Sequence, residues 1–164
     1  TLKFIISAIL LISMNTLFAD EDHFKTINAY EKKYQDIIKE IDPSKKNIII
    51  FSVSWCGPCK RLKLKLENNS EIDYSKLNLL YILTDKDNKG NWSEDGLPNP
   101  GMLESLEKMG QGYWPFIMLF EPGTKKPVSK FPILEGFEET DPCPDKLFYE
   151  RIMDFIKKDE VCKE

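Results

Sequence analysis

Apolar residues along the chain fall into two kinds of segment, and the first kind is a continuous run. Residues 47–53 (NIIIFSV) and 77–85 (LNLLYILTD) are almost entirely apolar and rich in branched side chains. Such runs are typical of strands buried on both faces of a sheet. The shorter run 116–120 is followed by the turn EPGTKK and a second apolar stretch near 127–133, a pattern that predicts a β-hairpin.

The second kind of segment carries apolar residues at steps of three and four, the period of a helix. Residues 22–41 predict a helix at the start of the domain, and residues 145–157 predict one at its end. Residues 102–110 predict a short helix that stops at Gly110. Residues 86–101, rich in Asn, Asp, Gly and Pro, predict a long loop. The two long stripes consist of Ile27, Tyr30, Tyr34, Ile37, Ile38 and Ile41, and of Phe148, Ile152, Phe155 and Ile156.

The order of these elements predicts the fold class. Strands alternate with helices, and a hairpin and a last helix follow, so the chain predicts an α/β fold. Helices should cover both faces of a mixed central sheet, with an extra helix at the N-terminus. A chain of 164 residues is long enough for one domain with its own core.

The first nineteen residues have a composition of their own. Lys3 precedes an apolar run from Phe4 to about Leu17, and the small residue Ala19 comes before an acidic stretch. This layout predicts a secretory signal peptide over 1–19 and a domain over 20–164. The run is shorter than the ~20 residues of a membrane span, and an uncleaved N-terminal anchor is the alternative. We therefore expect a protein that is periplasmic or otherwise exported.

Composition adds little about partners. The chain is 41% hydrophobic and 30% charged with a net charge of -4, which is ordinary for a soluble domain. No basic cluster is interleaved with aromatic residues, so we expect no nucleic acid partner. We expect a monomer without a cofactor. The predicted export is more informative than the composition, because disulfides between cysteines persist outside the cytosol.

The candidate chemistry lies in SVSWCGPCK, directly after the first buried strand. Cys56 and Cys59, three positions apart, could hold a metal, close a disulfide or exchange electrons with other proteins. A zinc site needs about four ligands. The other candidate ligands, His23, Cys143 and Cys162, are scattered without ligand spacing. We therefore expect no metal.

The expected strand-to-helix junction separates the roles of the two thiols. A helix beginning near Gly57 would place Cys56 at its N-terminus, where unpaired N–H groups and the helix dipole favour the thiolate. Cys59 would lie one turn deeper, so Cys56 should attack and Cys59 should resolve. Gly57 allows a tight turn, and Pro58 lacks an N–H that the first turn leaves unpaired anyway.

The sequence WCGPCK after a buried strand resembles the active site of the thioredoxin superfamily. The resemblance covers roughly residues 45–158: Pro115 in YWPF matches the family's cis-proline, and Gly136 matches a common glycine. It implies a thioredoxin-like three-layer sandwich and a redox-active Cys56–Cys59 disulfide. It also implies a substrate groove that includes Trp114 and Pro115, with Trp55 supporting the active site.

Two positions depart from the family pattern. Thioredoxins usually carry a buried acid six residues before the first cysteine, where this chain has Ile50. The resemblance therefore implies that water or another acid accepts the proton of Cys59. The residue before the cis-proline is commonly Thr or Val, and here the bulkier Trp114 would reshape the groove.

The function predicted from these observations is an exported thiol-disulfide oxidoreductase that reduces the disulfides of client proteins. A reductant in an oxidising compartment must be recharged, so we expect a membrane-linked electron donor. An oxidase or isomerase of the same fold is one alternative. A non-catalytic binding module, in which the Cys56–Cys59 disulfide is only a staple, is the other.

Cys143 and Cys162 form a possible structural disulfide, which export favours. A helix over 145–157 would span ~20 Å, and five further residues reach back at most ~17 Å. Bridged cysteines need Cα atoms within ~7 Å. The pair therefore closes only if the helix is short or the tail folds back.

Overall fold

A computed structural model describes residues 22–86, 97–132 and 146–158. Its strands are β1 (Phe24–Asn28), β2 (Lys46–Ser52), β3 (Leu77–Leu83), β4 (Phe116–Phe120) and β5 (Ser129–Phe131). Its helices are α1 (Tyr34–Ile38), α2 (Gly57–Glu67), α3 (Pro100–Lys108) and α4 (Phe148–Lys158). Within these ranges no helix has the length and apolar character needed to cross a membrane.

The strands form one mixed sheet in the order β1-β3-β2-β4-β5. β1, β3 and β2 are parallel, whereas β4 runs antiparallel to β2 and β5 antiparallel to β4. In the centre, Ile50 lies in register with Tyr81 on one side and Ile117 on the other. The carboxyl ends of the three parallel strands therefore share an edge with the start of β4, which brings Cys56 and Pro115 to the same end of the sheet.

Two hydrophobic layers pack on the two faces of this sheet. Alternate residues of β2 divide between them: Ile48 and Ile50 face the layer that holds α2 and α4, while Ile49 and Phe51 face the layer that holds α1 and α3. Both cysteines belong to the first layer. The predicted α/β sandwich, a mixed sheet with helices on both faces, is confirmed.

The prediction of an N-terminal helix over residues 22–41 is wrong. Its first part is the edge strand β1, and only the five residues of α1 are helical. Phe24 and Ile27 are buried while the residues between them are exposed, a spacing that a helix also produces. Residues 24–28 form a strand because the open edge of β3 provides hydrogen-bond partners for their backbone through parallel pairing.

The other predicted elements are confirmed with small shifts in their bounds. β4 occupies the predicted residues 116–120, and β5 completes the hairpin. Gly110 follows α3 with a φ of 87°, the left-handed conformation that ends many helices. Lys46 donates a hydrogen bond of 2.7 Å from Nζ to the carbonyl of Phe155 near the end of α4, so strand β2 also helps to cap that helix.

Candidate active site

Cys56 and Cys59 form a disulfide at the junction between β2 and α2, with Cα atoms 5.3 Å apart. Cys56 is the N-cap residue of α2 in an extended conformation, and Pro58 lies in the first turn. The amide of Cys59 donates a hydrogen bond of 3.2 Å to Sγ of Cys56. The sulfur of Cys56 therefore takes the place that a capping oxygen occupies in most helices.

The two cysteines differ in their access to solvent. Cys56 is 5% exposed, whereas Cys59 is fully buried in the layer beneath α2. Trp55 is half-buried and packs against the same layer, and Pro58 is exposed. What little surface the pair offers to an incoming molecule therefore lies on Cys56.

A groove of about 420 Å³ lies beside the disulfide. The peptide bond between Trp114 and Pro115 is cis, as predicted, and so is the one between Phe131 and Pro132, which the sequence did not indicate. Trp114 packs against both hydrophobic layers, and Leu147 is 67% exposed at the rim. The groove is lined by Pro58, Leu62, Trp114, Pro115, Lys146, Leu147 and Phe148. The structure thus brings the two proposed groove residues to the first turn of α2.

A buried carboxylate that the sequence did not connect with the cysteine pair holds the loop before Cys56. Asp85 is fully buried and accepts a hydrogen bond of 2.7 Å from the amide of Ser54, and another from its hydroxyl. Thr84 donates from both its amide and its hydroxyl to the carbonyl of Ser52, each at 3.0 Å. A usable signal was present, because parallel strands end at the same edge and Asp85 follows β3 where Ser54 follows β2.

The position of the missing acid is apolar. Ile50 is fully buried in the same layer as the disulfide. Two polar atoms on this face are the hydroxyls of Ser52 and Tyr81, hydrogen-bonded to one another at 2.9 Å. Burial raises the pKa of the Tyr81 hydroxyl above its ordinary value. At the position where the family carries a buried acid, this chain therefore has a well-packed apolar side chain, that of Ile50.

Several residues named from the sequence lie outside the described residues. These are the proposed signal peptide over 1–19, most of the predicted loop over 86–101 (residues 87–96), Gly136, Cys143 and Cys162. His23 stacks on the ring of Tyr74, with centroids 3.5 Å apart. Among the residues with described positions, no group of three or more His, Cys, Asp or Glu side chains could hold a metal ion.

Comparisons with known proteins agree with this geometry. The family described as thioredoxin matches residues 25–95. The chain is similar to the solved structure of Trichomonas vaginalis thioredoxin, with 17% identity and a TM-score of 0.52 over 85% of this chain and 100% of the other. This likeness shows a thioredoxin-like fold, as the sequence predicted.

Two further solved structures resemble the chain more distantly. Thioredoxin f2 from Chlamydomonas reinhardtii is 14% identical, with a TM-score of 0.48 over 85% of this chain and 100% of that one. Thioredoxin f from spinach chloroplast is 16% identical, with a TM-score of 0.45 over 80% and 84%. No curated protein matched the sequence. The family match over residues 25–95 and the Trichomonas vaginalis structure agree on a thioredoxin-like fold.

Proposed function

We propose that this protein is a thiol-disulfide oxidoreductase that reduces the disulfides of client proteins through Cys56 and Cys59. The observation that carries this proposal is the hydrogen bond from the amide of Cys59 to Sγ of Cys56. In the reduced protein, the same N–H and the positive end of α2 would favour a thiolate on Cys56, which is the nucleophilic form.

The reaction has two displacement steps. The Cys56 thiolate attacks one sulfur of a client disulfide, so a mixed disulfide forms and one client thiolate leaves. The Cys59 thiolate then attacks Sγ of Cys56 and releases the second client thiolate. Two electrons pass from the protein to the client, and the protein is left with the Cys56–Cys59 disulfide that the structure contains.

The division of labour follows from accessibility. Cys56 carries the exposed surface of the pair, and Cys59 is fully buried, so a bulky client reaches only Cys56. The Cα separation of 5.3 Å allows Cys59 to reach Cys56 without rearranging the helix. Trp114 and Pro115 line the groove beside the pair, where an extended client segment would lie.

The reducing direction and the location belong to the same proposal. Gly57 and Pro58 form the dipeptide of thioredoxin, whose potential of about −270 mV is reducing. The pattern of residues 1–19 supports export. In an oxidising compartment the pair would need a membrane-linked electron donor. A potential closer to about −120 mV would instead favour an oxidase of the same fold.

Mechanism-based trapping tests the proposal. Cys59→Ser keeps the attacking thiol and removes the resolving one, so it should accumulate mixed disulfides with clients that dithiol releases. Cys56→Ser should accumulate far fewer. Equal trapping by the two variants would show that the assignment of Cys56 as the attacking thiol and Cys59 as the resolving thiol is wrong.

A redox titration separates the enzyme from a binding module with a structural staple. An exchanging pair should pass from oxidised to reduced across a series of thiol buffers, and the midpoint gives its direction. A pair that stays oxidised throughout, with wild-type behaviour in both serine variants, would show that the disulfide is structural.

A further inference from the structure

The helix that begins at the disulfide is strongly basic in a chain whose net charge is -4. Its sequence, GPCKRLKLKLE, contains four basic residues and one acid. The acid is already engaged, because Glu67 pairs with Lys63 at 2.5 Å in a partly buried contact. The other three cations are Lys60, Arg61 and Lys65.

These three cations share one face of α2 with an apolar residue. Lys60, Arg61 and Lys65 are exposed, and so is Leu64, at 56%. Residues three and four apart are neighbours on a helix surface, so Leu64 lies beside Lys60 and Arg61, and Lys65 lies beside Arg61. Within the described ranges none of the three cations forms an ion pair, whereas several lysines elsewhere do. We call Lys60, Arg61, Leu64 and Lys65 the basic stripe.

The basic stripe starts at the cysteine pair. Nη1 of Arg61 lies back over the first turn, only 3.3 Å from where a Cβ on Gly57 would be. At the other end, Nζ of Lys65 lies 3.9 Å from the ring centroid of Tyr149, so contact with α4 orients this lysine. Positive charge therefore extends from Gly57, between the two cysteines, along just over two turns of helix.

We propose that the basic stripe docks an acidic polypeptide segment that flanks the reacting disulfide of the client protein. This inference rests on the proposed function and adds the chemical class of the substrate. Lys60 to Lys65 spans about 7.5 Å along the helix axis, the length of two or three extended residues. The preferred client therefore carries two or three acidic residues, and Leu64 offers an apolar contact beside them.

An acidic polypeptide fits this surface better than nucleic acid. The stripe contains no aromatic side chain on which a base could stack. Its length covers only a few phosphates, and a longer polyanion would meet the net negative charge of the rest of the domain. A short acidic run beside a client cystine avoids that repulsion.

The experiment compares two peptides that share one cystine loop and differ only in flanking residues, two Asp or two Lys. The reduced wild-type protein should reduce the acidic peptide about tenfold faster at about 0.01 M ionic strength, where the Debye length is ~30 Å. At about 1 M the Debye length is ~3 Å, and the ratio of the two rates should approach one.

Charge-reversal variants locate the effect. Lys60→Glu with Arg61→Glu should lower the acidic-to-basic rate ratio to one or below. The matched control is Lys125→Glu with Lys126→Glu, which makes the same charge change in the β4–β5 turn. That turn lies at the opposite end of the sheet, where the amide of Gly123 donates to the carbonyl of Pro43, just before β2. In this control variant, the ratio of the acidic-peptide rate to the basic-peptide rate should stay at the wild-type value.

The ratio separates docking from chemistry, because a change in the Cys56 thiolate alters both peptide rates equally. A wild-type ratio near one at low salt overturns the proposal, as does an equal loss in both double variants. Binding of a single-stranded oligonucleotide as tightly as the acidic peptide would make the stripe a general anion site and also overturn it. If the protein reduces a small neutral disulfide in these cases, the docking proposal fails and the proposed function stands. If the protein reduces no disulfide at all, the docking proposal and the proposed function both fail.

Discussion

The buried carboxylate of Asp85 holds the amide of Ser54 at 2.7 Å, two residues before Cys56. It also accepts a hydrogen bond from the Ser54 hydroxyl. Because the amide and the hydroxyl of Thr84 also donate hydrogen bonds to the carbonyl of Ser52, the end of β3 holds the loop that leads into the disulfide. The position of Cys56 therefore depends on a strand that is distant in sequence.

Replacing the Asp85 carboxylate should loosen this loop. In Asp85→Asn one acceptor becomes an NH₂ group that faces a donor, so the free energy of unfolding should fall by about 1.5–3 kcal/mol. Urea denaturation measures the change. Ser54→Ala is the matched control, because it removes only the hydroxyl and leaves the amide contact; it should cost about 1 kcal/mol. An unfolding free energy for Asp85→Asn within about 0.5 kcal/mol of wild type would contradict this account.

The contact between Asp85 and Ser54 shows where sequence reasoning stops at the site. The motif, its helix and the cis-proline are local signals, because each depends on a few adjacent residues. The sequence predicts Asp85 as the last residue of a buried strand and gives it no role beside the cysteine pair. Its burial and its partner depend on the pairing of two strands, and no single segment contains that information.

The same limit applies to the fold. The run NIIIFSV predicts β2 well because a strand buried on both faces must be apolar throughout. Helix α2 has a weaker pattern, since Leu64 interrupts its apolar face and is exposed in the structure. β1 resembled a helix because only Phe24 and Ile27 are buried along its length. Whether such a segment forms an edge strand depends on the neighbouring strand with which it pairs, and its own periodicity does not determine this.

Ile50→Asp should restore a proton acceptor beneath the pair. Burial of the carboxyl group should cost about 3 kcal/mol of stability, but the new carboxylate should accelerate the attack of Cys59 by about 100-fold. The measurement is the single-turnover decay of a mixed disulfide on Cys56. Ile50→Asn is the matched control, with the same shape and no basic group. As pH rises, the mixed disulfide should decay faster in the Asp variant than in the Asn variant, because only the ionised acid accepts a proton. Equal decay rates at all pH values would mean that another group already accepts the proton of Cys59.

Tyr34 should make stability depend on alkaline pH. Its hydroxyl lies 3.6 Å from Sδ of Met118, and burial raises its pKa from 10.0 to about 12. The unfolded chain ionises at the lower value, so the folded state loses stability mainly between pH 10 and 12. Tyr34→Phe should lose less stability than wild type over that interval in urea denaturation. Tyr113→Phe, at a tyrosine that is 69% exposed, should follow the wild-type curve. Parallel curves for all three proteins would exclude a role for Tyr34.

Trp114 should determine how well the groove holds a client. It lines the groove with Pro58 and packs against both hydrophobic layers, so it offers a large and fixed apolar surface beside Cys56. Trp114→Ala should lower the second-order rate constant for a peptide with apolar residues next to its cystine by about tenfold, equivalent to about 1.4 kcal/mol. Trp114→Phe should fall between the alanine variant and wild type. The rate with a small neutral disulfide should not change, because such a molecule reaches Cys56 without occupying the groove.

The control for this series is the neighbouring residue Tyr113, which is 69% exposed and is not among the groove residues. Tyr113→Ala should change the peptide rate by less than about twofold. Circular dichroism on each variant checks that the fold survives the loss of the indole. If Trp114→Ala slows the small disulfide as much as the peptide, Trp114 acts on the geometry of the cysteine pair, because an indole that only binds clients has no effect on a substrate that never touches it.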